Sequence, residues 1–585
     1  MKIVCLVKQV PRADAIEFDP ETKALRREGV PLLLNPFDAA AVAHAAALRD
    51  RTGGEVIAMT MGPPQAEAAL RTCLALGADR CIHLSDRVFA VADTIGTSRT
   101  LALALEKEGD VDLVIAGRKT TDSETWQVPP ETAAFLGWPH VTSVVETAVD
   151  DGTMRATRET DDGFESYELG LPAVVSLAYA REDGAPEAEG PIDVWTATDL
   201  VDDLRDNDKR FGQPGSPTRV LAVRDVTPQR AGELVGSARE AAERIRALLD
   251  ERQLEPSVWE KPPRLGEQPG KSYDCWTLVE LDDGRPTRHS LELLGKGREL
   301  AGKLGGDNVA LVVGADATRA VAEVARFGAD TVVLAEHERL AAFHPELQAA
   351  AVRRVVEQRR PHVLLIPATA NGRDVGPRVA GELQLGMTGD CVGLGIDRAG
   401  RLIQTKPAYG GNIVSIIMGA TTPQLATVRS RMFEPLEPRD AEPRVERVDL
   451  DQLPDPAARL VDRKAAPARE LDEADAVVCL GPELSSEDAR AARAVAERIG
   501  AAVGATREIC DRGDLPRNRQ IGLYGRPVAP RVLITVGVAG DFEHTTGFVK
   551  AGVIAAVNAD SGAAMLQRAD VGVVGDWREA LPALL

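Results

Sequence analysis

Short, unbroken apolar runs recur along this chain, separated by longer stretches with helical periodicity. IVCLV (Ile3 to Val7), VIAMT (Val56 to Thr60) and DLVIAG (Asp112 to Gly117) are continuous and rich in β-branched residues. That is the pattern of strands buried on both faces of a parallel sheet, not the alternation of a half-exposed one. Between them, AAAVAHAAALRD (Ala39 to Asp50) and AEAALRTCLAL (Ala66 to Leu76) place alanine and leucine at helical spacing. Strand and helix in alternation predict an α/β fold with parallel sheets covered by helices on both faces. The same order returns later: a helix over Glu292 to Leu304, VALVVG, a helix through Arg326, TVVLAE, and a long helix before HVLLIPA. A third α/β unit is predicted with strands at Ala476–Leu480, Val532–Val536 and Val553–Val557.

The first two patterns are copies of one unit. Gly53-Gly54, Gly62 and Gly77-Ala78-Asp79 reappear as Gly305-Gly306, Gly314 and Gly328-Ala329-Asp330, and Val111 to Trp138 aligns with Pro361 to Met387, with Pro130 answering Pro377. Solenoid units recur every ~20–50 residues, so a period this long means two homologous domains on one polypeptide. The expected organisation is a first domain over 1–200, an arm and linker over 201–272, a second domain over 273–450, a linker over 451–474 and a third domain over 475–585. The arm is proline-punctuated and then helical, and is expected to pack on another domain; EPSVWEKPPRLGEQPGKS (Glu255 to Ser272) reads as the joint between the halves.

Charge and composition narrow the function. The formal charge of −21 repels nucleic acid and anionic membrane surfaces, so no nucleic-acid role is expected. No apolar run approaches ~18 residues, so no membrane span is expected. The amino terminus lacks a signal-peptide pattern, and the seven cysteines are scattered without metal-ligand spacing, which implies a reducing cytoplasm and no metal.

In parallel α/β sheets, ligands bind where loops leave the carboxyl ends of strands and enter helix N-termini. The candidate loops in the first copy are Lys8 to Pro11, Asn35-Pro36, Ala92-Asp93-Thr94 and Gly117 through Gln127. In the third unit they are Ala505-Thr506-Arg507, Gln520 to Gly525 and Gly537 to Gly540, with His544 close behind. Taken singly, each reads equally as ordinary structure: Asp93 as a helix cap, Arg507 as a surface ion, His544 as a core imidazole.

Taken in order, these segments resemble an electron-transfer flavoprotein whose beta subunit (Met1 to about Arg252) is fused ahead of its alpha subunit (about Tyr273 to Leu585). The resemblance rests on VKQVP, NPFD, MGPPQAEAALR, ALGADR, SDRVFAVADT and DSETWQV in the first half. In the second it rests on LELLGKGRELA, ATANGRDVGPRVA, TKPAYGGN, VGATRE, QIGLYG, PVAP and GVAGDFEH. Ala156 to Pro172 is similar to the beta-subunit signature, with Tyr167 where an aliphatic is usual.

The resemblance implies two nucleotide alpha hydrolase-like domains and a carboxy-terminal Rossmann-like FAD-binding domain. It also implies a redox carrier, with FAD between a dehydrogenase-type donor and an acceptor protein, in a monomer equivalent to the usual alpha-beta heterodimer. By motif match, Arg507 lies over the flavin ring and His544 near its pyrimidine edge, where a cation favours the reduced cofactor. Thr506, Gln520, Gly522, Gly525, Gly540, Asn558 and Asp576 match its remaining contacts. Lys8, Asn35, Asp93, Thr94, Asp122, Thr125 and Gln127 match the loops that hold AMP, or a second FAD in electron-bifurcating members.

Departures from the pattern keep two alternatives open: a nucleotide-binding or scaffold protein with a degenerate flavin site, and a bifurcating flavoprotein with two FAD. The family's glycine-arginine-glycine turn reads Gly481-Pro482-Glu483, Leu523-Tyr524 replaces a glutamine-threonine pair, and Ala539 replaces a serine, while Asp541 and Glu543 add acid beside His544. Ser123, Trp126 and Pro129 stand at positions that are small or glycine in relatives, and proline has no amide to offer a phosphate. The dehydrogenase-docking motif is missing from LAYAREDGAPEAEGP (Leu177 to Pro191), so the usual docking is not expected.

Overall fold

The computed structural model describes residues 1–18, 25–26, 29–150, 152–181, 184–226, 228–265, 273–466 and 469–584; the end of the expected joint, 266–272, lies outside the described residues. The fully buried runs become central strands. Leu113–Gly117 and Val363–Pro367, buried along their whole length, occupy the middle of the parallel strands of two sheets, where both faces are covered.

The parallel part of the first sheet runs in the order Ile192–Trp195, Arg80–Leu84, Glu55–Met61, Lys2–Leu6, Leu113–Gly117, Ala173–Leu177, His140–Asp150, beyond which the sheet continues antiparallel through Thr153–Glu159, Gly163–Gly170 and Ala458–Ala465. The second runs Arg444–Arg447, Thr331–Glu336, Asn308–Gly314, Cys275–Val279, Val363–Pro367, Gln424–Val428, Met387–Cys391. The two orders correspond strand for strand, so the duplication visible in the glycines extends to topology. The aligned helices Val128–Leu136 and Gly372–Leu383 pack directly on one another. A Cβ added at Gly381 would stand 2.8 Å from the Ala134 Cβ, so glycine is what permits the approach.

The connecting segments are structured. From the arm, Thr218–Asp225 pairs antiparallel with Ile413–Gly419 of the second copy, and Glu233–Val235 pairs parallel with Val571–Val574 of the third sheet. Helix Ala238–Glu251, capped by the Ser237 hydroxyl accepting from the Glu240 amide, buries Ala241, Ile245 and Leu248 against Trp577 and Leu581. The stretch read as a second linker contains the strand Ala458–Ala465, which extends the first sheet beyond Gly163–Gly170. A proline-rich, charged composition suits such an edge strand as well as it suits a linker, and only the partner strand distinguishes them.

The third sheet is parallel among the described residues, in the order Glu233–Val235, Val571–Val574, Val553–Asn558, Val532–Val536, Ala476–Leu480, Ala502–Ala505. No described helix is long and apolar enough to cross a membrane.

Candidate functional site

Register brings the candidate loops of the third unit to one edge. Leu480 lies level with both Ala505 and Val536, and Val536 with Val557. The segments that follow, Gly481 to Glu483, Thr506-Arg507, Gly537 to Gly540 and Asn558, therefore leave the sheet side by side. The Thr506 amide donates to the Leu480 carbonyl at 2.9 Å, which turns the chain into the short helix Arg507–Asp511. Its hydroxyl is buried and has no hydrogen-bond partner among the described residues. A buried hydroxyl without a partner costs ~1–3 kcal/mol. Arg507 beside it pairs with Asp511 at 3.3 Å and keeps a side chain about one third exposed.

Gln520 bridges to Ala505, and its carbonyl accepts from the Arg526 amide at 2.8 Å, closing the loop that carries Gly522 and Gly525. A Cβ at Gly525 would fall 2.2 Å from the Gln520 carbonyl oxygen; only glycine fits. Gly540, at φ +99°, turns the chain where a Cβ would meet the Met565 amide at 2.4 Å. Asn558 donates to the Glu483 carboxylate and the Val538 carbonyl, both at 3.1 Å. The anion introduced by the altered turn thus reaches the edge itself. Asp576, exposed, accepts from the Arg578 amide and pairs with its guanidinium.

His544 is turned inward. Its Nδ1 lies 2.9 Å from the Ile521 carbonyl, so this nitrogen carries the proton, and Nε2 faces the Cys479 thiol at 3.3 Å. Burial lowers its pKa to about 4, which makes it a neutral imidazole at pH 7. Burial likewise pushes the Cys479 thiol far up, so the pair is inert rather than nucleophilic.

In the first copy the candidate residues form two groups. Lys8 pairs with Asp122 at 2.6 Å, and Asn35 donates to the Lys119 carbonyl at 3.0 Å and accepts from the Thr121 amide at 3.3 Å. The second group surrounds a residue that sequence reasoning missed, the buried Glu131. Thr94 and Gln127 donate to one of its oxygens and Ser98 to the other, each at 3.0 Å. Asp93 caps helix Thr94–Glu108 through the Gly96 amide and also accepts from Thr218 of the arm. Burial, and then Asp93, push the Glu131 pKa well up. Thr125 is half-buried between Glu124 and Trp126, which both hold positive φ.

Glu124 was also missed. Its carboxylate meets Lys119 at 3.1 Å and Arg429 at 3.5 Å, and accepts from the Gly410 amide at 2.7 Å, while Lys406 donates to its carbonyl at 3.0 Å. Asp390 takes Arg373 at 3.0 Å and Arg429 at 3.2 Å; despite complete burial, these guanidiniums hold its pKa far below the usual carboxylate range. Burial lowers Lys406 to about 8 against the pull of Asp390 and Glu124. The available signal was the lysine and glycines inside TKPAYGGN, polar residues in an otherwise apolar context. Arg118 completes the junction: it donates to the Tyr524 and Gly525 carbonyls at 3.3 Å and lies over the rings of Phe37 and Trp126. The loop of the first copy is thereby tied to the loop of the third unit.

Comparison with known proteins accounts for all three units. The electron transfer flavoprotein domain matches residues 22–200 and again 275–453. The chain belongs to the electron transfer flavoprotein family. The electron transfer flavoprotein FAD-binding domain matches residues 470–549. The electron transfer flavoprotein subunit beta of Thermoanaerobacterium thermosaccharolyticum is 36% identical over 260 residues, which is 43% of this chain and 100% of that protein. The subunit alpha of Clostridium acetobutylicum is 34% identical over 319 residues, 53% of this chain and 95% of that protein. A third relative, the caffeyl-CoA reductase-Etf complex subunit CarD of Acetobacterium woodii, is 39% identical over 244 residues, 40% of this chain and 92% of its own length. What are two subunits elsewhere in the electron transfer flavoprotein family are here one polypeptide, beta-like first and alpha-like second.

Proposed function

We propose that this chain carries electrons through FAD held at the carboxyl edge of its third sheet, passing them between a dehydrogenase-type donor protein and an acceptor protein. The observation that carries this reading is the buried Thr506 hydroxyl, without a partner among the described residues, beside Arg507, inside the segment matched by the FAD-binding domain. FAD, when bound, supplies the redox chemistry, and the protein supplies position and electrostatics. Thr506 and Gln520 offer polar side chains, Gly522, Gly525 and Gly540 allow close backbone approach, and Asn558 and Asp576 offer further polar contacts. Arg507 adds positive charge that favours electron uptake. His544, neutral and bonded to Ile521 and Cys479, acts in this reading as a support for the 520–525 loop.

One flavin is favoured over two. In the first copy, Lys8 is bonded to Asp122, Asn35 to residues 119 and 121, and Gln127 to Glu131, so a nucleotide there, AMP or a second FAD, has to displace existing bonds.

The test is an absorption spectrum of the purified chain after incubation with FAD, followed by denaturation and a count of released nucleotides. One FAD per chain, with or without AMP, is expected. Two FAD would replace the single-flavin reading with the bifurcating one, and no flavin would leave a scaffold protein. Arg507→Ala is expected to lower the flavin potential; an unchanged potential would remove Arg507 from the site.

A further inference from the structure

At the junction of the three units lies a cavity of about 110 Å³, walled by residues of all of them. Water takes roughly 30 Å³ per molecule in the liquid, so the space accepts a few waters or one small ion. Of the residues offered to FAD, Gly525 lines it, whereas Thr506, Arg507, Gln520, His544 and Asn558 do not, so the inference drawn from it rests on side chains other than those of the flavin reading.

Its walls are charged, but most of the charges are already spent. Arg373 and Arg429 are taken by Asp390. Arg526 holds Asp472 at 2.5 Å and Asp161 at 3.2 Å, with Glu159 at 3.9 Å, and Glu280 accepts from the Thr369 hydroxyl at 2.6 Å. Two wall cations have no carboxylate partner within ion-pair distance among the described residues, Arg118 and Lys550. Arg118 is anchored through one terminal nitrogen to two carbonyls, and its Nε–H has no acceptor among the described residues. Burial lowers the pKa of both groups, Arg118 to about 10, so Arg118 stays charged at neutral pH, at a desolvation cost that an anion would relieve.

A third donor points the same way. Trp126, only 9% exposed, lines the cavity, and its indole N–H has no hydrogen-bond partner among the described residues. Its ring is fixed by three cations, Arg373, Arg118 and Lys119, at 4.3, 4.9 and 5.5 Å from the centroid. The residue is therefore ordered in place with a donor unmet.

We propose that this cavity binds a small oxyanion, of carboxylate or phosphate type, held by the Arg118 guanidinium, the Lys550 ammonium and the Trp126 indole N–H. Residues of the beta-like half and of the FAD-binding-type unit then share one ligand, which ties the two together.

The test is calorimetric titration of the full-length, flavin-loaded protein with sodium phosphate and, separately, sodium acetate, at constant ionic strength set by sodium chloride. One saturable site per chain is expected for at least one anion, and the tighter of the two identifies the class. Lys550→Gln and Arg118→Gln are each expected to weaken binding about tenfold or more, as loss of a hydrogen bond from a charged donor does. Trp126→Phe keeps the ring but removes the donor, and is expected to weaken it several-fold. Lys550 is only half-buried and makes no side-chain hydrogen bond among the described residues, so its variant tests the site even if Arg118→Gln fails to fold. Absence of a saturable site for either anion, or equal affinity in wild type and Lys550→Gln, overturns the proposal.

Discussion

His544 shows how burial alone sets the state of a single side chain. Above pH 6.5 its imidazole is neutral in both the folded and the unfolded chain. As pH falls toward 4 the unfolded chain takes up a proton that the folded one refuses, because burial holds the folded pKa at about 4. Stability is therefore lost across that window, by a few kcal/mol at most, since each tenfold difference in proton affinity between the two states is worth ~1.4 kcal/mol. His544→Gln keeps a donor for Ile521 and removes the titration. Its melting temperature is expected to fall less than that of wild type between pH 7 and pH 4.5, and parallel curves would show that His544 is not the buried neutral group described. Glu483 gives a second prediction at this scale. Its carboxylate accepts from Asn558 at the edge proposed for FAD, where like charge opposes a phosphate. Glu483→Gln retains the acceptor without the charge, so FAD should dissociate several-fold more slowly from the variant in a dilution assay; no change would place the cofactor's phosphates elsewhere.

At the level of elements, the two halves are tied by Arg158 of strand Thr153–Glu159, whose side chain reaches the start of helix Gly372–Leu383. Arg158, fully buried, pairs with Asp374, reaches Glu165 at 3.4 Å and donates to Asn371 at 2.8 Å, while Asp374 also takes the Thr142 hydroxyl at 2.5 Å. Burial raises the Asp374 pKa, but Arg158, His140 and Thr142 together more than offset it, leaving the carboxyl below its ordinary value. Arg158→Met would leave the buried Asp374 without its guanidinium partner, while Glu165 keeps Arg463 at 3.2 Å; breaking a buried pair in this way costs ~3–5 kcal/mol. The melting temperature should drop by several degrees, and the deficit should shrink below pH 4, where Asp374 can be neutralised by protonation. The individual strands and helices were legible from apolar runs and helical spacing, because each buries a face whatever its partners are. The Arg158 network was not: its members come from positions 142, 158, 165, 371 and 374, and no local pattern links them.

For the whole molecule, the covalent joint between halves matters less than the segments that cross between them. Thr218–Asp225 belongs to a sheet of the second copy, Glu233–Val235 to the third sheet, and Ala458–Ala465 to the first. Two co-expressed chains, 1–264 and 273–585, are accordingly expected to co-purify one to one and to elute at the volume of the intact protein. Separate elution would mean that the joint, not the exchanged strands, holds the halves together.

The sequence by itself determined the α/β class, the duplication and the family, because these rest on periodicity, on glycines at turns and on ordered motifs, all of which are local or collinear. It also named the loops that converge on the third sheet's edge, since strand polarity dictates which ends carry them. Only the tertiary structure decided that a supposed linker is an edge strand, that His544 faces inward, that Glu124 and Glu131 are buried hubs, and that Arg118, Trp126 and Lys550 surround one cavity. Burial and pairing of charges are properties of three-dimensional neighbours hundreds of residues apart, and the same side chains in solvent would carry none of these roles.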